Sequence, residues 1–295
     1  MRVTVIHNPA SGEARHTREE LLHVIRRAGH RALYRSSKAD GWRAALDEPT
    51  DLVVAAGGDG TVDKVALAMA GREVPVAILP LGTANNVARA LRLSLDLEQL
   101  IARWSRAETR RLDVGLIRGV PGPGRFLEAV GLGVFPGLMA EHLKEASNEG
   151  NGEAKLARDL ERLRERLVAE PAHHWRVRLD GRDLSGEHLL VEAMNIGALG
   201  PGLCLAPRAN PGDGLLDVVT VAEHERERLV EHLTRRIRGE QEPAPVEVVR
   251  GRQLVLYGPR ADVHVDGKLV PAREVGEHGL NVHVGVWPRA VDVLV

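Results

Sequence analysis

An α/β domain with a parallel sheet, followed by an antiparallel β-sandwich, is the architecture that the sequence predicts. Three observations carry it. In the first 118 residues short apolar segments alternate with amphipathic ones, a rhythm of strands and helices that builds a parallel sheet covered on both faces. Near Pro121-Gly122-Pro123-Gly124 the rhythm changes to short, β-branched, often alternating segments, the pattern of an antiparallel sandwich. Three of the early strands also empty into loops rich in Gly, Asn, Ser and Thr, and such loops meet at the carboxyl ends of the strands in a doubly wound sheet.

The elements follow in order. In a first domain, residues 1–118, strands are expected at 3–6, 32–34, 52–56 and 76–79, alternating with helical segments at 17–28, 42–46, 62–70 and 85–91. A further helix is expected at 97–104, and a strand at 109–116 leads out of the domain. The second domain, 119–281, carries expected strands at 125–130, 175–179, 188–195, 203–207, 216–222, 246–250, 253–257 and 261–265. Two helices interrupt them, at 154–169 and 223–238. The first sets Leu156, Leu160, Leu163 and Leu167 on one stripe and charges of both signs elsewhere, which suits a helix covering the sheet better than a membrane anchor. Residues 282–295 read as a final strand.

Composition narrows the function. A chain of 295 residues with 43% apolar content can bury substantial cores. Its net charge of −1 argues against a general nucleic-acid binder, which needs a basic face to release counterions. Cys204 is the single cysteine, so there is no internal disulfide and no cysteine-cluster metal site, as suits a reducing cytoplasm. The first residues read as a strand without an apolar signal core, and no run of about 18 apolar residues occurs, so a cytoplasmic protein without a transmembrane segment is expected.

The most informative segment is residues 52–69, an apolar strand running into Gly57-Gly58-Asp59-Gly60-Thr61 and then a helix with Val62, Val65, Ala66 and Met69 on its inner face. Glycines let a backbone approach a ligand closely, and the helix aims free N–H groups and its positive dipole end at whatever sits there, so the segment reads as a phosphate cradle. An aspartate beside a phosphate is repelled unless a metal lies between them, so Asp59 adds Mg²⁺ to the reading. A tight Gly-Asp-Gly turn is the alternative. The loops at His7-Asn8-Pro9-Ala10-Ser11-Gly12 and Pro80-Leu81-Gly82-Thr83-Ala84-Asn85-Asn86 weigh against it, since each also follows an apolar strand and precedes a helix.

The segments NPASG (8–12), GGDGTV (57–62) and PLGTANNVARAL (80–91), in that order and spacing, resemble the diacylglycerol kinase catalytic domain of the bacterial lipid kinases, whose blocks sphingosine and ceramide kinases share. Asn195-Ile196-Gly197, Leu205-Ala206-Pro207-Arg208-Ala209, Asp213-Gly214-Leu215-Leu216-Asp217-Val218 and Val265-Asp266-Gly267 resemble its later blocks, so the likeness covers essentially the whole chain. It implies an N-terminal α/β domain and a C-terminal sandwich of the NAD kinase and diacylglycerol kinase type, with residues 282–295 packing back toward the first domain. It also implies ATP- and Mg²⁺-dependent transfer of a phosphoryl group to a lipid hydroxyl at the membrane surface, by a protein peripheral to the inner face. The nucleotide would lie on Asn8, Ser11, Gly12, Gly57, Gly58, Asp59, Gly60, Thr61, Val62, Asp63, Thr83 and Asn85, with Ser36 or Ser37 near the adenosine. A Mg²⁺ in the second domain would be held by the Asp213 side chain and the carbonyls near Asn210 and Leu215, with a plain Pro-Gly-Asp-Gly turn as the alternative.

Departures from the family pattern bear on catalysis. The family places its catalytic glutamate directly after Asp-Gly in the last block, where this chain has Lys268. Asp63-Lys64 stands where the family has Asn-Glu, and Asn86 where it has Asp, while Asp113 is retained. Two of the five lysines thus replace family glutamates, which makes the altered cleft more attractive to anions. A lysine ammonium takes no proton. Two positions apart on one strand would put Asp266 and Lys268 on one face, so Asp266 is the expected substitute base, with His264 a further group there and Asp59 the acid in the first domain. Two other readings stay open: a degenerate kinase that binds nucleotide or anionic lipid, and an NAD kinase, which shares the Gly-Gly-Asp-Gly core. The lipid acceptor is not legible, and a homodimer is left open.

Overall fold

The computed structural model describes residues 1–14, 16–144, 153–240, 242–276 and 279–295. The chain divides into two compact units, Met1–Val114 with Pro288–Val295, and Gly115–Trp287. Residues 288–295 therefore belong to the first unit, and the linking segments are the strands Thr109–Arg118 and Leu280–Leu294. Among the described residues no helix is long and apolar enough to cross a membrane.

In the first unit β1 (Arg2–His7), β2 (Arg31–Ser36), β3 (Leu52–Gly57) and β4 (Val76–Pro80) form a parallel sheet in the order β4-β3-β1-β2. Helices α1 (Arg18–Arg27), α2 (Asp59–Met69), α3 (Asn86–Ala90) and α4 (Leu97–Arg103) connect or flank the strands, and β5 (Thr109–Arg118) leads out. All six residues of β3 are buried, as a central strand covered on both faces requires. Thr17 starts α1 through a capping box with Glu20, which satisfies two otherwise orphaned backbone donors. The core joins Val3, Val5, Leu52, Val54 and Leu79 of the strands to Leu21 and Ile25 of α1 and to Leu100, Ile101 and Trp104. Each such side chain contributes about 1.5–3 kcal/mol of burial.

The second unit is a sandwich of two sheets with a helical layer outside one of them. Its elements are β6 (Arg125–Phe126), β7 (Ala129–Gly133), α5 (Val134–Lys144), α6 (Glu153–Ala169), β8 (His173–Leu179), β9 (Arg182–Asp183), β10 (Gly186–Met194), β11 (Ala198–Leu199), β12 (Leu203–Cys204) and β13 (Leu216–Ala222). They continue with α7 (Arg226–Ile237), β14 (Val248–Gly251), β15 (Leu254–Gly258), β16 (Val263–Val265), β17 (Lys268–Val270) and β18 (Leu280–Leu294). One sheet runs β17-β16-β7-β10-β13-β14 and the other includes β9-β8-β15-β18. Alternate residues face inward, so Val130, Leu132, Val191 and Ala193 of the first sheet meet Val177, Leu179, Leu256 and Val282 of the second. The opposite face of the first sheet, with Leu190, Met194, Val219 and Val221, is covered by Phe135 and Leu138 of α5, Leu160, Leu163 and Leu167 of α6, and Leu229 and Leu233 of α7. The leucine stripe of α6 is thus a core stripe from Leu160 to Leu167, with Leu156 only half-buried.

Four expectations need correction. Helix α5 falls where none is expected, because Pro136 and Gly137 in its opening turns read as loop signals although proline is tolerated in a first turn. The strand expected at 203–207 shrinks to Leu203–Cys204. The strand expected at 125–130 is broken into β6 and β7, since the amides of Leu127, Glu128 and Ala129 turn to the carboxylate of Asp266 instead of a neighbouring strand. The helix expected at 223–238 opens as a 3₁₀ turn over Glu223–Glu225 before α7.

Candidate functional site

Three loops converge at the carboxyl ends of β1, β3 and β4. The amide of Gly58 donates to Ser11 Oγ at 3.3 Å, and the amide of Asn8 to the carbonyl of Ala56 at 2.9 Å. Gly12 has φ +59, and a Cβ there would lie 2.2 Å from the carbonyl oxygen of Leu81. A Cβ on Gly82 would lie 2.4 Å from the Cα of Gly58, and one on Gly57 would lie 2.5 Å from Thr61 Oγ1. Loops this close need residues without side chains. Asn85, with φ 51, locks the third loop by accepting from the amide of Gly82 at 2.9 Å and donating to its carbonyl at 2.8 Å.

The N-terminus of α2, whose N-cap is Gly58 with no side-chain cap, lies at this convergence, and a helix N-terminus is a favourable place for phosphate groups. Thr61 and Asn85 are buried in the same wall, Thr83 is partly exposed, and Asn8 Oδ1 accepts from the amide of Ala10. Ser36 ends β2, with its Oγ accepting from the amide of Lys38, and Ser37 is buried beside it. Val62 and Asp63 turn inward on α2, each almost fully buried, so they support the loop from behind.

The expected acids are engaged in the fold itself. Asp59 Oδ1 accepts from the amide of Val87 at 3.2 Å, so Asp59 ties the Gly-rich loop to the start of α3, where a metal was expected beside it. Burial pushes its carboxyl above the usual range, against the pull of the amides of Val87, Asn86 and Asn85. Asp113 accepts from the amide of Arg289 at 2.7 Å and is fully buried.

In the second unit Asp266 and Lys268 do not share a strand face. Val265 pairs with Lys268 across the β16–β17 hairpin, and Asp266-Gly267 is the turn between them, both residues with positive φ. The Asp266 carboxylate accepts from the amides of Leu127 at 2.8 Å, Glu128 at 2.8 Å and Ala129 at 3.2 Å. Burial raises its pKa, and these three amides and Lys268 pull it back. A carboxylate so held pins a strand corner, and Lys268 is an exposed residue at the start of β17. His264 is also removed from the surface. Its Nε2 lies 2.7 Å from Glu192 Oε2, and both side chains are buried. Gly131, the residue paired with both across the sheet, makes the pair possible, because a Cβ there would lie 2.2 Å from the Glu192 carboxylate. Burial raises the Glu192 carboxyl, against the pull of His264.

Asp213 was expected to hold Mg²⁺ with the carbonyls of Asn210 and Leu215. Its Oδ2 instead pairs with the guanidinium of Arg250, and its Oδ1 accepts from the amide of Leu215 at 3.1 Å. The carbonyl of Asn210 accepts from the amides of Gly212 and Asp213 within the turn. An arginine stands where a cation would, so this donor set does not fit a divalent metal as arranged. Among the described residues no group of three or more His, Cys, Asp or Glu side chains is placed to hold a metal. Buried Asp217 lies beside the same arginine, and burial, opposed by Arg250 and aided by Asp213, pushes its carboxyl up to about 6.

That value exceeds the unfolded one, so the folded chain binds the extra proton more tightly. Asp217 therefore costs stability at neutral pH, and the cost disappears as pH falls through about 6 toward the unfolded value. The gain of Asp217→Asn over wild type is expected to be larger at pH 7.5 than at pH 4.5 by about 1–2 kcal/mol in chemical denaturation. An equal difference at both pH values would show that Asp217 is already ionised throughout.

Among the described residues, three buried carboxylates escaped the sequence reading: Asp159 on α6, Glu192 within Leu189–Asn195 and Glu128 between Leu127 and Ala129. For Glu192 and Glu128 the available signal was a single acid inside an otherwise apolar segment.

Residues 2–117 match the family model of the diacylglycerol kinase catalytic domain, and residues 145–295 that of the YegS C-terminal NAD kinase beta sandwich-like domain. A protein named diacylglycerol kinase from Mycobacterium tuberculosis is 24% identical over 316 residues, covering 99% of this chain and 94% of that one. Another of that name from Bacillus subtilis is 26% identical over 260 residues, covering 81% and 80%. A protein named "Probable lipid kinase YegS-like" from Pseudomonas syringae pv. tomato is 33% identical over 228 residues, covering 75% and 62%. The crystal structure of a diacylglycerol kinase from Bacillus anthracis superimposes with a TM-score of 0.70 at 18% identity, covering 99% and 96%, a likeness of fold.

Proposed function

Because the chain belongs to the diacylglycerol kinase catalytic-domain family of lipid kinases, we propose that it transfers the γ-phosphoryl group of ATP, taken as its magnesium complex, to the hydroxyl of a diacylglycerol-like lipid. The observation that carries the reading is the close convergence of the three glycine loops at the N-terminus of α2, whose N-cap Gly58 has no side-chain cap. Phosphoryl transfer is mainly a matter of positioning and of neutralising charge, and a backbone cradle of this kind supplies the first. Gly57, Gly58 and Gly60 would admit the phosphates close to the backbone, and Thr61, Thr83 and Asn85 would line the same wall. The lipid would be met at a membrane surface.

The direct test is an ATP-dependent phosphorylation assay over diacylglycerol, sphingosine, ceramide, phosphatidylglycerol and NAD. Transfer to diacylglycerol in preference to NAD is the expected result; transfer to NAD alone would move the protein to a different acceptor class. The cradle itself is tested by Gly82→Ala, whose methyl group would press on Gly58 and on Asn85 Oδ1. Nucleotide affinity by calorimetry is expected to fall at least tenfold, with a stability loss of about 1–3 kcal/mol from overpacking. Undetectable nucleotide binding by the wild-type chain across Mg²⁺ concentrations would remove the basis of the proposal.

A further inference from the structure

A cavity in the first unit shares no residue with the three glycine loops. It has a volume of about 420 Å³ and lies against α4, between the loop that follows α3, the start of β5, β4 and the end of β18. Arg92, Arg103, Arg106 and Arg110 line it, with Glu108 the sole lining side chain of opposite charge. All four arginines are exposed, and none is in an ion pair among the described residues. The lining also has an apolar part, with Leu93, Leu100, Trp104 and Leu294. Trp104 is itself buried and backed by the ring of His30 at 5.5 Å.

One of these arginines is held at a conformational cost. The amide of Leu93 donates to the carbonyl of Ala88 and that of Arg92 to the carbonyl of Arg89, both at 3.0 Å, which closes α3 in a Schellman motif. The motif puts its left-handed residue at Arg92, with φ 57, a position that favours glycine. An arginine there extends the α3 end into the cavity, where its charge adds to those of the other three. Four like charges around one concavity, opposed among the lining side chains by Glu108 alone, leave an excess of positive charge that favours an anion. Guanidinium groups match the oxygens of a phosphate in pairs, and the volume falls in the range of small-molecule sites.

We propose that this cavity binds an amphiphilic phosphate monoester, with the anionic head on the four arginines and the first methylenes of its tail against Leu93, Leu100 and Trp104. An inorganic anion would leave the apolar wall unused, and a neutral lipid would leave the arginines unpaired. The proposal does not rest on the kinase reading, since the two sites have no residue in common and the test reads binding.

Calorimetric titration of the full chain with dihexanoyl phosphatidate, inorganic phosphate and dihexanoylglycerol tests it. The phosphatidate is expected to bind, with the other two at least tenfold weaker. Arg92→Gly, and separately Arg103→Ala combined with Arg106→Ala, should each weaken phosphatidate binding at least tenfold. Arg92→Gly suits the local backbone, so its melting temperature should be kept or raised, which separates loss of binding from loss of fold. Phosphatidate affinity unchanged in both folded variants would overturn the proposal. So would inorganic phosphate binding as tightly as phosphatidate, which marks a free-anion site, or dihexanoylglycerol doing so, which marks an apolar pocket.

Discussion

Asp266→Ala is expected to lower the stability of the second unit by about 3–5 kcal/mol, because three backbone donors at the β6–β7 corner lose their acceptor and each buried orphan costs about 1–3 kcal/mol, less what water restores. The donors are the amides of Leu127, Glu128 and Ala129, and the return bond from the Asp266 amide to the Ala129 carbonyl cannot replace them. Alanine at φ 47 adds backbone strain. Asp266→Asn keeps one oxygen as acceptor, so its loss should be roughly half as large. Urea denaturation followed through Trp175, which is buried in the core of this unit, would report both. The contrary outcome is specific: a denaturation midpoint unchanged in Asp266→Ala, together with loss of phosphoryl transfer, would restore Asp266 to the reacting centre.

What was legible in the sequence, and what was not, divides along physical lines. The strands of the first unit were visible because β3 and β4 are buried from end to end and leave an unbroken apolar run, and the loops between them because glycine is required wherever Gly12, Gly58 and Gly82 approach another backbone. The leucine stripe of α6 was visible for the same reason, a long period without interruption. Helix α5 was hidden by Pro136 and Gly137, which are permitted at a helix start yet read as loop. The partners of the acids were not legible, because pattern names a residue and not what it bonds. Asp59, Asp213 and Asp266 stand in blocks that carry chemistry in the resembled family, but here their oxygens go to Val87, to Arg250 and Leu215, and to the β6–β7 corner. Only tertiary structure shows that Arg250, 37 residues from Asp213 in the chain, returns to the place expected for a cation. The Glu192–His264 pair required knowing that Gly131 lies between two strands 72 residues apart.

Asp266 and His264 are both engaged in the fold, so Lys268, at the position of the resembled family's glutamate, is the residue of the β16–β17 hairpin whose substitution tests the proposed transfer. Lys268→Glu is expected to raise phosphorylation of diacylglycerol by about 10²–10⁴-fold, the contribution of a positioned general base. Lys268 is exposed at the first residue of β17, so the substitution should change stability by no more than about 0.5 kcal/mol, and a gain in rate can be read as chemistry. The new carboxylate would stand two residues from Asp266, whose bonds to three amides keep it from competing for the same proton. A fast wild-type enzyme slowed by Lys268→Glu would mean that another carboxylate does the work. Glu128 is then the one to examine, because its own amide is bonded to Asp266, and Glu128→Gln should abolish turnover while nucleotide affinity survives. Absence of transfer in the wild type and in Lys268→Glu alike, with nucleotide still bound, would instead describe a chain that keeps the cradle of a kinase and has lost its reaction.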